Sequence, residues 1–283
     1  MKVLVIGGNG FLGRKLLERL GGMEVEVYSA VRRFSEIRVE NCRYILVDEI
    51  IGLEIQDLPE FDVIINVAMK RSSRVLHISD EILSHLNFST PLEIIRRTSS
   101  ESTLVINTST YIQNFEGVKG KTVETYGASK QLLTEALEAD ALKGLYQATD
   151  LYLFTLYGPS DRTTHLIPLI FKALKNKTSL PLTEGLQLMN LLYLDDAANS
   201  IIAAMANYQP GYSPYYLWEP KYLTVQDLVL TMEEIVGETL DAQWGSLGYS
   251  GHEMFEPWPI PFPQFPGLSA TTTLVEGLMK SMS

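Results

Sequence analysis
The chain holds one cysteine, Cys42, so no disulfide can form within it, and a reducing compartment is the expected setting. Basic residues are scarce: 23 lysines and arginines stand against 34 aspartates and glutamates, a net charge of −11. Nucleic acid and anionic membranes both recruit basic patches, so neither is an expected partner. An anionic small molecule held in a locally basic cleft is compatible with that balance. No apolar run approaches the length of a membrane span. The first residues lack the basic, apolar and small-residue order of a signal peptide, and a cytoplasmic location is the expectation. Internal repeats and low-complexity tracts are missing as well. Asp195-Asp196 have no third ligand at useful spacing, so no metal is expected; they read as the start of the helix that follows.

What is present begins at once. Val3-Leu4-Val5-Ile6 is an apolar run, as a buried parallel strand requires. Gly7-Gly8-Asn9-Gly10-Phe11-Leu12-Gly13 follows, then a stretch with Leu16, Leu17 and Leu20 at helical spacing. Strand, glycine turn and helix in that order form a dinucleotide cradle. Gly7 allows the turn, Gly10 lets a pyrophosphate approach the backbone, and Gly13 lets the helix pack close to the strand. Asn9, Phe11 and Leu12 complete the turn. The spacing is G-x-x-G-x-x-G rather than G-x-G-x-x-G.

Val25–Val31 reads as a second strand and ends in Arg32-Arg33 with no acid beside it. An acid at that place suits the ribose hydroxyls of NAD, whereas an arginine accommodates the 2′-phosphate of NADP, so NADP is favoured over NAD. Tyr44–Asp48 is a third strand, with Asp48 at its carboxyl end, where ligands gather in open α/β sheets. Phe61–Ala68 is a fourth, whose small Val67-Ala68 leave room for a cofactor. Helices are expected over Ser79–Phe88 and Pro91–Arg97, then a fifth strand at Leu104–Ile106, ending in Asn107-Thr108-Ser109-Thr110. Strands alternating with helices imply a parallel sheet with right-handed crossovers.

Tyr126-Gly127-Ala128-Ser129-Lys130 opens a helix running to about Leu142. Tyr126 and Lys130 lie four apart and share a face. A phenol of ordinary pKa near 10 is a poor acid/base at neutrality, and an ammonium one turn away is expected to lower it. The same lysine can hold a ribose hydroxyl. A hydroxyl of the fifth strand can then hydrogen-bond a substrate oxygen beside the tyrosine. Leu151–Thr155 is a sixth strand and His165–Lys175 a helix; helices are also expected from Thr224 and around Leu274–Met279. Gly245–Pro266 is rich in glycine, proline and aromatics with little periodicity, as functional loops often are.

In this order the motifs resemble those of the extended short-chain dehydrogenases/reductases, in their nucleotide-sugar epimerase/dehydratase/reductase group. The glycine turn, Asn66-Val67-Ala68, Asn87 before Ser89-Thr90, Tyr126 with Lys130, Tyr157-Gly158-Pro159 and Asp195-Asp196 carry the likeness across almost the whole chain. The resemblance implies that Tyr126 is the acid/base, that Lys130 orients the nicotinamide ribose, and that Asn87 lies near the cofactor. It implies a hydroxyl that polarises the reacting carbonyl; Ser109 is preferred, with Thr108 open. The loop 245–266 would cover the substrate. Where many relatives carry a phosphate-gripping arginine this chain has Met189, and where they carry an asparagine before Y-G-P it has Thr155. Thr155, Met189 and Arg162 are the expected substrate contacts, with Lys172 a further candidate cation. A homodimer through the helices near Tyr126 follows by analogy only.

The expected fold is thus α/β: a doubly wound parallel (Rossmann) sheet with a smaller C-terminal substrate domain. The first domain takes 1–155 plus 190–206, and the second 156–189 plus 207–283. The expected activity is NADP-dependent reduction of a nucleotide-linked 4-keto sugar. The alternatives are an NAD-dependent nucleotide-sugar epimerase or dehydratase, and a non-catalytic NADP-binding regulator.

Overall fold
Runs of branched apolar residues bounded by glycine and charge build a sheet whose strands are covered on both faces. The computed structural model describes every residue except Ile37, 55–58, 72–77, 162–163, Pro220, Ser269 and Ser283. In chain order it runs β1 (Lys2–Ile6), α1 (Phe11–Gly21), β2 (Glu26–Val31), β3 (Cys42–Leu46), α2 (Val47–Gly52), β4 (Val63–Asn66), α3 (Asp80–Ser84), α4 (Thr90–Thr98), β5 (Leu104–Thr110) and α5 (Glu124–Leu142). Then follow β6 (Gln147–Leu153), β7 (Thr155–Tyr157), α6 (Leu166–Asn176), β8 (Leu180–Pro181), β9 (Leu188–Met189), β10 (Leu191–Tyr193) and α7 (Leu194–Ala204). The chain ends with β11 (Tyr212–Leu217), β12 (Leu223–Thr224), α8 (Val225–Val236), β13 (Ala242–Gln243) and α9 (Leu274–Ser281).

Seven parallel strands form one sheet in the order β11-β6-β5-β4-β1-β2-β3. The chain starts in the middle, winds outward to β3, returns, and winds outward again to β11. That is the doubly wound arrangement, and its reversal between β1 and β4 is where such sheets bind ligands. The two helices expected before β5 form one continuous run, α3 and α4 joined through a π-helical turn at His85–Ser89. Ser79 caps its start by accepting the Ile82 N–H at 3.4 Å.

The chain divides into two units. The first comprises Met1–Leu153, Ala198–Leu217 and Ile260–Leu268, and the second Phe154–Ala197, Trp218–Pro259 and Ser269–Ser283. Relative to the expected bounds, the first unit takes in 207–217 and 260–268, and the second takes in 154–155 and 190–197. Tyr212–Leu217, expected in the second domain, is the edge strand of the large sheet. Pro214 is tolerated there because an edge strand can spare a ladder N–H. The end of the long loop returns to that edge: Tyr216 N–H donates to the Pro263 carbonyl at 2.9 Å, and Phe265 N–H to the Tyr216 carbonyl at 2.9 Å. Phe262 packs on Tyr152, with ring centroids 5.0 Å apart.

The second unit packs Ile170 and Leu174 of α6, Leu228 and Met232 of α8, and Leu278 of α9 into one core. Asp195 and Asp196 lie inside the first turn of α7 rather than before it. Asp196 is buried and accepts the Thr271 hydroxyl at 3.1 Å and the Thr272 N–H at 2.9 Å, clamping the C-terminal segment.

Candidate active site
The glycine turn leaves β1 at Ile6. Gly7 N–H donates to the Ala30 carbonyl at 3.2 Å, and Gly10 N–H to the Gly7 carbonyl at 2.9 Å. Gly7 sits at φ +94°, which side chains avoid, and a Cβ there would fall 2.7 Å from both N and Cα of Ala68. A Cβ at Gly13 would fall 2.7 Å from the Gly8 Cα and nearer still to the Gly7 carbonyl oxygen. A Cβ at Gly10 would meet only the Gly7 oxygen, at 3.1 Å, and otherwise open space. Helix α1 starts from Gly10 with no side-chain cap and no acid in its first turn. Its leading N–H groups are thus available to an anion. The turn is tied to the end of β2 by Asn9 Nδ2, which donates to the Arg33 carbonyl at 2.9 Å.

Beyond β2 the side chains of Arg32 and Arg33 are exposed, Leu12 is buried and Phe11 half-buried. Arg14 reaches Ser35 Oγ at 3.5 Å, and its buried Nε has no partner among the described residues. Bare glycine Cα atoms, free helix N–H groups and a basic pair suit a dinucleotide. Asp48 differs from its expected place: β3 stops at Leu46, and Asp48 is an exposed residue in the first turn of α2. Stabilising that helix end accounts for it.

Tyr126 and Lys130 lie on α5 and are both buried. Lys130 Nζ donates to the carbonyls of Ala68, at 3.1 Å, and Thr108, at 2.8 Å. Ala68 is the residue against which Gly7 rests, so the lysine lies beside the glycine turn. Tyr126 OH donates to Met69 Sδ at 3.6 Å, and Arg71 stands over its ring, 5.7 Å from the centroid. Arg71 is held by Glu124 at 2.8 Å. Glu124 itself takes a left-handed backbone, φ +58°, at the start of α5.

The expected effect of lysine on tyrosine is reversed here. Burial pushes the Tyr126 phenol up to about 12, opposed by Arg71 and by a hydrogen bond with the Thr110 side chain. Burial pushes the Lys130 ammonium down to about 8, opposed by Asp150. Desolvation penalises whichever form is charged, and Lys130, held by the Ala68 and Thr108 carbonyls, is not among the groups that act on the Tyr126 phenol.

The hydroxyls of β5 also sort differently from the expectation. Thr108 Oγ1 donates to the Asn66 carbonyl at 3.0 Å. Ser109 Oγ donates to Asp150 Oδ1 at 2.7 Å and lies 3.0 Å from Thr134 Oγ1. The side chain of Thr110, the last residue of the strand, is the β5 hydroxyl that acts to lower the Tyr126 phenol. The alternation of side chains along a strand could have separated these neighbours, but only once the register was known. Arg71, Met69 and Asp150 carried no motif that sequence reading could find.

Val67 is buried and Ala68 half-buried at the end of β4. Asn87 is fully buried: its Oδ1 accepts the Lys70 N–H at 2.7 Å, while Nδ2 donates to the Lys70 carbonyl at 2.8 Å and Ser129 Oγ at 3.1 Å. It pins the segment that carries Ala68, Met69 and Arg71. Thr155 and Met189 belong to the second unit. Thr155 N–H donates to the Asn190 carbonyl at 3.1 Å, and Met189 pairs with Leu223 in a two-stranded ladder. Lys172 is exposed on α6, and Arg162 lies outside the described residues.

The family model for NAD dependent epimerase/dehydratases matches residues 3–216. The chain belongs to that family. Among curated relatives, a CDP-abequose synthase of Yersinia pseudotuberculosis is 26% identical over 275 residues, covering 91% of this chain and 92% of that protein. Two solved structures share the fold. UDP-glucuronic acid 4-epimerase of Bacillus cereus, bound to UDP-4-deoxy-4-fluoro-glucuronic acid and NAD, has a TM-score of 0.82 at 17% identity, over 100% of this chain and 98% of its own. UDP-N-acetylglucosamine 4-epimerase of Methanobrevibacter ruminantium has a TM-score of 0.81 at 16% identity, over 99% and 96%. The epimerase/dehydratase family is one of nucleotide-sugar enzymes with NAD(P) chemistry, and this chain is therefore an enzyme of that type. No helix among the described residues is long and apolar enough to cross a membrane.

Proposed function
We propose that the chain is an NADP-dependent reductase acting on the 4-keto group of a nucleotide-linked sugar, with a CDP-linked 4-keto-6-deoxy sugar as the narrower reading. One observation carries it: the Lys130 ammonium sits on the Ala68 carbonyl, and Ala68 abuts Gly7, so the acid/base helix meets the cofactor turn. The name of the Yersinia relative, matched over nearly its full length, supports a CDP-sugar.

Gly7, Asn9, Gly10, Phe11, Leu12 and Gly13 would cradle the pyrophosphate, Arg32 and Arg33 would take a 2′-phosphate, and Val67-Ala68 would floor the site. Lys130 would hold a ribose hydroxyl. When bound, NADPH supplies a hydride to the carbonyl carbon. Tyr126 delivers the balancing proton to the carbonyl oxygen, and Thr110 hydrogen-bonds that oxygen beside it. Reduction needs the tyrosine in its acid form, and a phenol pushed up to about 12 is in that form throughout the neutral range.

The rival, an epimerase or dehydratase, would retain NAD and return the hydride. Mass spectrometry of the denatured protein identifies any retained cofactor, and NADPH absorbance follows turnover of CDP-4-keto-6-deoxyglucose. Net NADPH oxidation with formation of one alcohol per cofactor is expected. Tightly held NAD with no net oxidation would overturn the reductase reading.

A further inference from the structure
The sheet beneath Tyr126 and Lys130 carries a row of polar side chains that the proposed chemistry leaves unused. Asn66 on β4, Asn107 on β5 and Asp150 on β6 are direct cross-strand partners. Their exposures are 0%, 1% and 0%. Asp150 lies within the fully buried stretch Ala148–Leu153 of β6. It accepts three hydrogen bonds: from Asn107 Nδ2 at 2.5 Å, Ser109 Oγ at 2.7 Å and Tyr212 OH at 2.9 Å. Burial pushes the Asp150 carboxyl up, and the Ser109, Asn107 and Tyr212 donors together with the Lys130 ammonium hold it down. A buried carboxylate that persists requires donors and a countercharge.

The row leads to Lys130. Asn66 Nδ2 donates to Asn107 Oδ1 at 2.7 Å, and Asn66 Oδ1 accepts the Ala68 N–H at 3.2 Å. The two carbonyls that hold the lysine, Ala68 and Thr108, therefore belong to segments that this row ties down. Thr108 lies between Asn107 and Ser109, both bound to Asp150.

We propose that Asp150 is a positioning residue for the acid/base pair: it is the buried countercharge of Lys130 and, through Asn107 and Asn66, it fixes the carbonyls that aim the ammonium. The kinetic consequence rests on the reductase reading; the electrostatic one does not. Other titratable groups around Asp150 are Tyr146 ahead of β6, Tyr152 on β6 and Tyr212 on β11, with Glu138 of α5 acting on Tyr212. Burial and Asp150 push up the Tyr152 and Tyr212 phenols, and burial and Asp140 push up that of Tyr146, so all three stay neutral. Lys130 is the cation whose charge acts on Asp150, and Asp150 in turn opposes the effect of burial on the Lys130 ammonium.

The test is carbon-13 NMR of lysine-labelled, cofactor-free protein, following the side chain of Lys130 against pH in wild type and Asp150→Asn. A wild-type midpoint near 8 is expected to fall by one pH unit or more in the variant, a tenfold loss of proton affinity. With substrate and NADPH, the basic limb of kcat/KM should move down by the same amount. A midpoint that stays in place in a folded variant overturns the proposal. Should Asp150→Asn not fold, wild type labelled at the aspartate carboxyl carbon decides it. The buried Asp150 resonance must be that of a carboxylate at neutral pH and must inflect at the Lys130 midpoint; a protonated or non-inflecting Asp150 overturns the proposal. Because the NMR midpoint needs neither cofactor nor sugar, its failure is separate from failure of the reductase reading.

Discussion

Two alanine substitutions in the glycine turn should separate a packing glycine from a binding glycine. At Gly13 the new Cβ starts 2.7 Å from the Gly8 Cα, and ordinary contact begins at 3.4 Å, so the helix must retreat by about 0.7 Å or more. The opposing atoms are backbone and cannot swing aside. Overpacking of that kind costs about 1–3 kcal/mol, and a first turn shifted that far misaims its N–H groups. At Gly10 the contact is 3.1 Å to a single oxygen, and φ −77°, ψ 171° is open to alanine. Loss of a favourable cap residue and gain from a stiffer unfolded chain are each about 0.5–1 kcal/mol and oppose one another. Gly10→Ala should therefore keep near-wild-type stability while its methyl occupies the space over the turn. Urea denaturation and fluorescence titration with NADPH read the two quantities. Gly13→Ala should lose both stability and affinity, and Gly10→Ala should lose affinity alone, by tenfold or more. Undiminished NADPH binding by Gly10→Ala would refute the assignment of that space to the pyrophosphate.

The hydroxyls of β5 should divide in the same manner. Thr110→Val should lower kcat by about 10²–10³ with little change in stability, whereas Ser109→Ala should cost about 1–3 kcal/mol by depriving Asp150 of a donor; the opposite pattern would return the catalytic role to Ser109. Stability should also report the buried lysine. Lys130 is lowered from 10.5 in the unfolded chain to about 8 in the fold, so between those values the unfolded state binds more protons and stability rises with pH. Urea midpoints for wild type relative to Lys130→Met should climb from pH 8 to pH 10, and a flat difference would show that the ammonium is solvated.

Much of the nucleotide-binding half was legible because its signals are local. A strand, a glycine turn and a helix are contiguous in Val3–Leu20, and Tyr126 and Lys130 are one helical turn apart. The misreadings concern depth and register. Whether an ammonium lowers a nearby phenol depends on how much water each has lost, and no spacing reports that; Tyr126 and Lys130 are both buried, so desolvation dominates. Thr108, Ser109 and Thr110 are chemically alike, and the face each presents follows from pairing with β4 and β6. Tyr212–Leu217 did not resemble a sheet strand because Pro214 and clustered tyrosines break the apolar pattern, a cost that an edge position tolerates. Asp150 was passed over because one carboxylate in a strand has no sequence neighbour to explain it; its partners come from two other strands.

The most direct measurement is NADPH oxidation by CDP-4-keto-6-deoxyglucose in wild type and Tyr126→Phe, with cofactor affinity measured in parallel. Wild type should turn over, and the variant should bind NADPH normally while kcat falls by about 10²–10⁴, the usual contribution of a positioned proton donor. Equal turnover in the two proteins would contradict the assignment of Tyr126 as the proton donor.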